Sequence, residues 1–360
     1  MVSVMDAGGM ESYIMNMYRC MDRTSCQFDF LVHHARRGAY EDEIEALGGK
    51  VYHTTLLDDG NLIQYKKALR SLFSEHPEYR IVHGHLGSTA YWYLGAAKRH
   101  GVPWRILHSH CPGRIHTLKG NIKHLLFRFS PRYANVRLAC SEEAGRYQFR
   151  RQDYEVVPNG IDMRRFAFDE ESRRKMRDEL HLSDDFVIGH VGRFYYEKNH
   201  PYMLKLLQAI LPKIPNAVLM LIGDGELMPQ IKEMAQAMHL ESHVRFMGVR
   251  RDVERCYSAM DAFVLPSVYE GFPMVGLEAQ ANGLHCFFTS RISNDMRLLS
   301  DTSLFPTDEG SIDIWAEALI DLYHNGGKRV EPSSALLAYD IHGVTAAMIE
   351  RYDQLLEKTP

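Results

Sequence analysis

Two hydrophobic patterns alternate along the whole chain. Short unbroken apolar runs, typical of strands buried on both faces, are followed by longer stretches whose apolar residues recur every three or four positions, as in helices packed on a sheet. In the first half the pattern predicts helices over 8–21, 40–47, 61–76, 90–100, 118–129 and 142–149. It predicts strands over 28–34, 50–55, 80–86, 104–110, 136–141 and 155–158. After the turn Pro158-Asn159-Gly160-Ile161-Asp162 the alternation restarts. Helices follow over 170–180, 201–211, 227–239, 253–260, 312–323 and 345–356, with strands over 187–193, 218–223, 244–247, 262–266, 286–289 and near Leu304. Such alternation predicts an α/β chain of two doubly wound domains, each with a parallel sheet, joined by a hinge near 160–170. Doubly wound sheets bind ligands at the carboxyl ends of their strands, so the cleft between the domains is the expected site. Only residues 1–5 precede the first helix, so the opening strand is expected to be very short.

One stretch, 262–283, joins strand, loop and helix. Its apolar run 262–266 reads as a buried strand, and Pro273 suits the first turn of the helix, where a missing N–H costs nothing. Glu270 precedes that helix and Glu278 lies inside it. A helix start offers unpaired N–H groups and a partial positive charge, here on Gly271, Phe272, Met274 and Val275, which suits a phosphate. Glu278 is placed to accept hydrogen bonds from hydroxyls. A sheet-packed helix with a solvated acid at each end would show the same pattern, so the stretch alone does not decide.

Composition narrows the classes. At 360 residues, 45% hydrophobic and 24% charged, the chain is of ordinary globular make-up. Six scattered cysteines form no CxxC or Cys/His cluster, which fits a reduced, cytoplasmic protein. No run approaches the length of a membrane span, and no basic-then-apolar leader opens the chain. The net charge of −4 hides an asymmetry: residues 1–165 carry 23 Lys and Arg against 17 Asp and Glu, and the remainder 19 against 29. A basic first half suits phosphate-rich material, either a diphosphate or an anionic membrane surface. The predicted helix 118–129 and the residues after it mix Leu125, Leu126, Phe127 and Phe129 with Lys119, Lys123, Arg128 and Arg132. That composition suits peripheral contact with lipid, although packing on the sheet explains the apolar part equally well.

Candidate chemistry clusters at strand ends. Arg193 and Lys198 flank the loop after the strand 187–193, where an Arg fork and a Lys point charge suit phosphate oxygens. Gly8 and Gly9 open the first helix and let a backbone approach a ligand. Gly223 ends a strand in Gly223-Asp224-Gly225, and the backbone at Met247 and Val249 ends another, where a flat base fits. His83 with His85, and His108 with His110, each lie on one face of a strand. No acid or cysteine completes a ligand set, so no metal is expected there, and His110 is read as a neutral hydrogen-bonding group at the cleft edge. No D-x-D, GxGxxG, GxxxxGK[ST] or GxSxG occurs, so a carboxylate-held metal, a nicotinamide or flavin cofactor and a serine nucleophile gain no support.

Taken in order, these residues resemble family 4 of the retaining glycosyltransferases, especially its exopolysaccharide and capsular-polysaccharide members. The match runs through Gly8-Gly9-Met10-Glu11, His83-Gly84-His85, His108-Ser109-His110 and Pro158-Asn159-Gly160-Ile161-Asp162. It continues through Gly192-Arg193 with Lys198-Asn199, Gly223-Asp224-Gly225, and Glu270 with Glu278. The resemblance implies the GT-B architecture, two Rossmann-like domains with an interdomain cleft. These would be an acceptor-side domain over 1–165, a nucleotide-sugar domain over 166–340, and a helix over 341–360 crossing back to the first. It implies that Arg193 and Lys198 bind the donor diphosphate, that Glu278 holds the ribose hydroxyls, and that Glu270 contacts the donor sugar. His110 would touch the sugar near the reacting centre, and Gly9 would line the phosphate. The implied reaction moves a hexose from a nucleotide-diphosphate sugar, UDP-linked, to a glycan or polyprenyl-linked acceptor, with no metal or other cofactor and no nucleic acid. Two alternatives stay open on the residues alone: a sugar-nucleotide epimerase of the same architecture, and a non-catalytic nucleotide-sugar-binding subunit. The chain departs from the family pattern in its short opening strand and in Pro273, where many members carry glycine.

Overall fold

The computed structural model describes residues 1–6, 8–110, 127, 129–270 and 272–358. They form two compact units, Met1–Ile161 with Tyr339–Pro360 and Asp162–Ala338.

In the first unit β1 (Phe30–Val32) pairs in parallel with β2 (Val51–His53). A four-stranded parallel sheet runs in the order β3 (Ile81–Gly84), β4 (Trp104–Ser109), β5 (Val136–Ala139), β6 (Glu155–Val156). Residues 1–3 stitch the two pieces together. Val2 bridges in parallel to Val32 and donates its N–H to Leu31 O, while Met1 O accepts from the N–H of His85 at 3.0 Å. The short opening segment thus lies between β1 and β3, and the spatial order is doubly wound.

The helix Ile341–Glu357 belongs to this unit and packs against the helix Gly9–Cys20. Its Tyr352 ring meets Phe28 edge-on at 6.1 Å, and its Arg351 pairs with Glu155.

In the second unit all six strands are parallel: β7 (Phe186–Val191), β8 (Ala217–Ile222), β9 (Val244–Gly248), β10 (Ala262–Leu265), β11 (His285–Thr289) and β12 (Thr302–Phe305). Their spatial order is β12-β11-β10-β7-β8-β9. β8 and β10 are buried at every position, because helices cover both faces of the sheet. Below the strands, Asp261 accepts from Arg173 at 2.6 Å, Arg177 at 3.2 Å and the N–H of Val187 at 2.7 Å. This ties the helix Glu170–Leu180 to the start of β7 and β10. Chain order reverses between β7 and β10, which makes the carboxyl ends of those two strands the switch point of the sheet.

The elements differ from the pattern-based expectation in a few places. β6 is two residues long, the closing helix begins at Ile341 rather than 345, and single-turn helices occupy Leu56–Asp59, Met163–Phe166 and Ser334–Leu337. One turn holds too few residues to show a period; Met163–Phe166 exists because Asp162 accepts from the N–H of Arg164 and Arg165, both at 3.0 Å. Pro273 does not sit in the first turn: it is the extended residue just before the helix Met274–Ala281, with φ −74 and ψ 122.

Of the predicted helix 118–129, residues 118–126 and 128 lie outside the described residues, as does Gly271. Among the described residues no helix is long and apolar enough to cross a membrane.

Candidate active site

The carboxyl ends of β7, β8 and β9 stand side by side with little between them. Gly192 donates to Ile222 O at 2.9 Å and Gly223 to Gly248 O at 2.8 Å. The next turns are zipped the same way, Phe194 N–H to Asp224 O at 2.9 Å and Leu227 N–H to Phe194 O at 3.0 Å. Gly223 is required here twice over. Its φ is +134, and a Cβ would stand 2.1 Å from Gly192 O. Gly223→Ala is expected to destabilise the second unit by about 2–4 kcal/mol, from backbone strain and overpacking together, read as a lowered melting temperature.

This packing exposes Arg193 at the strand end. Its guanidinium lies 5.2 Å above the Tyr195 ring, and no carboxylate pairs with it among the described residues. Lys198 follows in a single 3-10 turn, Tyr196–Lys198, which ends because Asn199 takes a left-handed φ of +56. Asn tolerates that conformation, and its side chain donates to Pro266 O at 3.1 Å, locking the loop after β7 to the end of β10. The N–H of Val268 donates to Glu197 O at 2.8 Å in a second lock. Across this junction Lys198 Nζ forms an ion pair with Glu270 Oε1, which also accepts from Ser267 Oγ at 2.8 Å. Both partners are mostly buried, with side-chain exposures of 21% and 12%. Arg193 and Lys198 after β7, Gly223 after β8 and Glu270 after β10 therefore stand at the carboxyl ends of adjacent strands, although they come from three segments of the chain.

Glu270 leads into the helix Met274–Ala281, whose first N–H groups, on Met274 and Val275, have no intrahelical acceptor. Glu278 lies one turn further along. Its Oε2 accepts from Tyr257 Oη at 2.8 Å. Burial pushes its carboxyl up from the usual 4.5 to about 7, against the lowering effects of the Tyr257 hydrogen bond and of nearby Arg165. Met247 and Val249, at the end of β9, are half-buried and 73% exposed. Phe272 and Val275 are half-buried beside the helix start, and Met274 is buried.

The remaining candidates belong to the first unit. Gly8 is the N-cap of the helix Gly9–Cys20, at φ −94, where any residue fits the backbone; a Cβ would stand 2.3 Å from Glu11 Oε2, the end of a flexible side chain that can move aside. The same helix carries the buried Tyr13, whose ring lies 6.0 Å from that of His110. His110 follows β4, and its Nε2 is 2.9 Å from His85 Nδ1. Burial lowers its pKa to about 3, against the raising effect of a hydrogen bond with Asn159, and so favours the neutral ring.

Sequence reasoning missed Tyr257, Ser267 and Asn199 as supports of this site. Asn199 entered the sequence reading only beside Lys198, and its suitability for a left-handed turn was the signal for its structural part; Ser267 lies in the singled-out stretch 262–283 but has no local feature that pairs it with Glu270, and Tyr257 has none that pairs it with Glu278.

Comparison with known proteins identifies the family and the fold. Residues 7–165 match Glycosyltransferase Family 4, and residues 171–335 match Glycosyl transferases group 1. EpsF of Bacillus subtilis (strain 168) is 32% identical over 99% of this chain and 96% of its own length. The UDP-Gal:alpha-D-GlcNAc-diphosphoundecaprenol alpha-1,3-galactosyltransferase of Escherichia coli is 29% identical over 82% of this chain and 80% of its own. Among solved structures, Anabaena HepE in complex with UDP superimposes with a TM-score of 0.77 at 18% identity, covering 98% of both chains. With the parallel sheets of both units and the paired family matches spanning them, the chain belongs to the family 4 glycosyltransferases and has their GT-B fold.

Proposed function

We propose that this protein transfers a hexose from a UDP-sugar to a glycan or polyprenyl-linked acceptor, with retention at the anomeric carbon, in the building of an exopolysaccharide or capsule. The single observation that carries the reading is the convergence of Arg193, Lys198, Glu270 and the helix start at Met274 on the switch point of the second unit. UDP in the HepE structure and the UDP-Gal and diphosphoundecaprenol in the name of the Escherichia coli relative support the donor and acceptor classes.

In this reading Arg193 and Lys198 face the diphosphate, and the N–H groups at the helix start complete the anion site. Glu278 accepts from the ribose hydroxyls, and the backbone at Met247 and Val249 meets the base. Glu270 is held by Lys198 and Ser267 as a hydrogen-bonding group for the sugar. That engagement leaves it poorly placed as a nucleophile and favours same-face attack. The bond from the anomeric carbon to the β-phosphate oxygen breaks, the acceptor oxygen bonds to the same face, and the departing phosphate oxygen takes the acceptor's proton. From the first unit, His110 is the neutral group proposed to contact the sugar, and Gly9 is proposed to approach the phosphate. The fixed cations stabilise the leaving charge without a metal at the diphosphate.

A thermal-shift screen of nucleotide sugars, followed by mass analysis of products formed on polyprenyl-diphosphate glycans, tests the assignment. A UDP-sugar is expected to raise the melting temperature and the acceptor to gain one hexose. Isomerised donor without transfer would point to an epimerase, and binding without either reaction to a non-catalytic subunit. UDP affinity measured by calorimetry is expected to be the same in Mg²⁺ and in chelator. Binding that requires Mg²⁺ would remove the proposed metal-free charge balance.

A further inference from the structure

A basic and aromatic face of the first unit has no role in the reaction proposed above. The helix Leu62–Glu75 carries Ile63, Lys66, Lys67 and Arg70, whose spacing puts them on one solvent-facing stripe. The neighbouring helix Ala90–Arg99 carries Tyr91, Trp92, Lys98 and Arg99 in a similar stripe. The two stripes touch. Lys66 Nζ lies 4.3 Å over the Trp92 ring, and further along Ser74 Oγ lies 3.4 Å from His100 Nδ1. The second helix also packs against the 3-10 turn Ser130–Tyr133. The centre of the Tyr133 ring lies 5.2 Å from that of Tyr91 and 5.9 Å from Lys98 Nζ. Gly95 leaves room for that ring, since a Cβ there would stand 3.0 Å from it.

Lys66, Lys67, Arg70, Lys98, Arg99 and Arg132 are exposed, and no carboxylate pairs with any of them among the described residues. Across the three elements the one acid is Glu75, which accepts from Ser71. Six like charges without an internal counterion make a surface that an extended anion complements. Apolar groups are interleaved with them. Ile63 is 83% exposed, and Phe129, just before the turn, is 48% exposed. Tyr91, Trp92 and Tyr133 are half-buried. A solvated charge run accounts for the cations but not for the isoleucine and the phenylalanine beside them. Lys and Arg mixed with Trp, Tyr and exposed aliphatic groups suit the boundary of a bilayer, where phosphate and hydrocarbon meet. The helix Ala90–Arg99 starts just beyond the carboxyl end of β3, through the turn Gly87–Thr89. Its Tyr91 and Trp92 therefore stand at the edge of the sheet where doubly wound folds take their ligands.

We propose that this face docks the protein on an anionic phospholipid bilayer, with the six cations over lipid phosphates and Ile63, Trp92 and Phe129 at the boundary between headgroups and acyl chains. This docking rests on the reading of a polyprenyl-linked acceptor, whose hydrocarbon chain resides in a bilayer. It would hold the ligand edge of the first unit at the level where such an acceptor presents its diphosphate. Of the residues whose composition suggested lipid contact, Phe129 and Arg132 belong to this face. Lys119, Lys123, Leu125, Leu126 and Arg128 lie outside the described residues. The two helices that carry most of the face, Leu62–Glu75 and Ala90–Arg99, meet only in the folded unit.

The experiment is co-sedimentation of the full chain, without donor or acceptor, with vesicles of phosphatidylcholine alone or mixed with phosphatidylglycerol. Binding to the anionic vesicles, reversed by high salt, is expected. Each cation near such a surface is worth about 5-fold in binding, so Lys66→Gln/Lys67→Gln/Arg70→Gln should weaken it about 100-fold. Ile63→Ser should weaken it about 10-fold, the loss of one aliphatic contact. Both variants change exposed side chains and should keep the wild-type melting temperature. Arg174→Gln/Lys213→Gln, which removes two exposed cations of the second unit, should bind as the wild type does. Lipid brominated near the headgroups should quench tryptophan fluorescence in the wild type and not in Trp92→Phe, because Trp315 is fully buried and Trp104 stands at the start of β4. Equal binding to neutral vesicles, wild-type binding by the triple variant, or quenching that is absent or independent of Trp92 overturns the proposal. A protein that transfers hexose but binds no vesicle would overturn this docking and leave the reaction as read above.

Discussion

Lys198→Met is expected to lower the transfer rate by about 10²- to 10³-fold, the usual loss when one preorganised charge at a developing anion is removed. In the proposed reading Lys198 stands where the leaving diphosphate gathers charge, and its side chain is mostly buried. The same substitution should also lower stability, because Glu270 is left mostly buried with Ser267 as its one remaining side-chain partner among the described residues. That cost is about 1–3 kcal/mol, below the figure for a fully buried pair because both side chains retain some exposure. The two effects separate in a double variant. Lys198→Met/Glu270→Gln removes both charges and should recover most of the melting temperature without recovering transfer. Single-turnover rates and thermal melts on the three proteins check this. Transfer that returns together with stability would reduce Lys198 to a structural partner of Glu270.

Glu278→Gln carries the second large effect, and its sign changes between stability and binding. In the folded chain the Glu278 carboxyl titrates at about 7, raised from 4.5 by burial. Between those two values the folded state keeps a proton that the unfolded state has released. Stability therefore falls as pH rises through that window and is level above it. The full shift corresponds to about 3 kcal/mol as an upper figure. Glutamine cannot ionise and can still accept from Tyr257, so the variant should be about 1–3 kcal/mol more stable than the wild type at pH 8 and nearly equal at pH 5. UDP binding should move the other way. Ribose hydroxyls donate best to an ionised carboxylate, so wild-type affinity should rise between pH 6 and 8. The variant should lack that part of the rise and bind about 10- to 100-fold more weakly at pH 8. Comparing the two proteins cancels the ligand's own phosphate titration. A variant no more stable than the wild type at pH 8 would mean that Glu278 is not held in the buried state described here.

Much of this molecule is written in local pattern. The runs in β8 and β10 are apolar at every residue, so they had to be strands covered on both sides, and their alternation with helices implied parallel sheets. The strand-loop-helix passage carrying Glu270 and Glu278 was legible for the same reason, since strand and helix periods are properties of neighbours in sequence. The placement of Pro273 was not, because helix entry there follows a loop whose start is tied to Glu197 and Asn199, far back in the chain.

By itself, then, the sequence determined the class of fold and the strand ends at which candidate residues gather. Only the tertiary structure decided which groups meet: Lys198 with Glu270, 72 residues away, Glu278 with Tyr257, 21 away, and the imidazoles of β3 with those of β4, 25 away. Periodicity is set by backbone geometry within a few residues. Partnership across a sheet is set by strand order and register, which depend on how the whole set of apolar faces is buried at once.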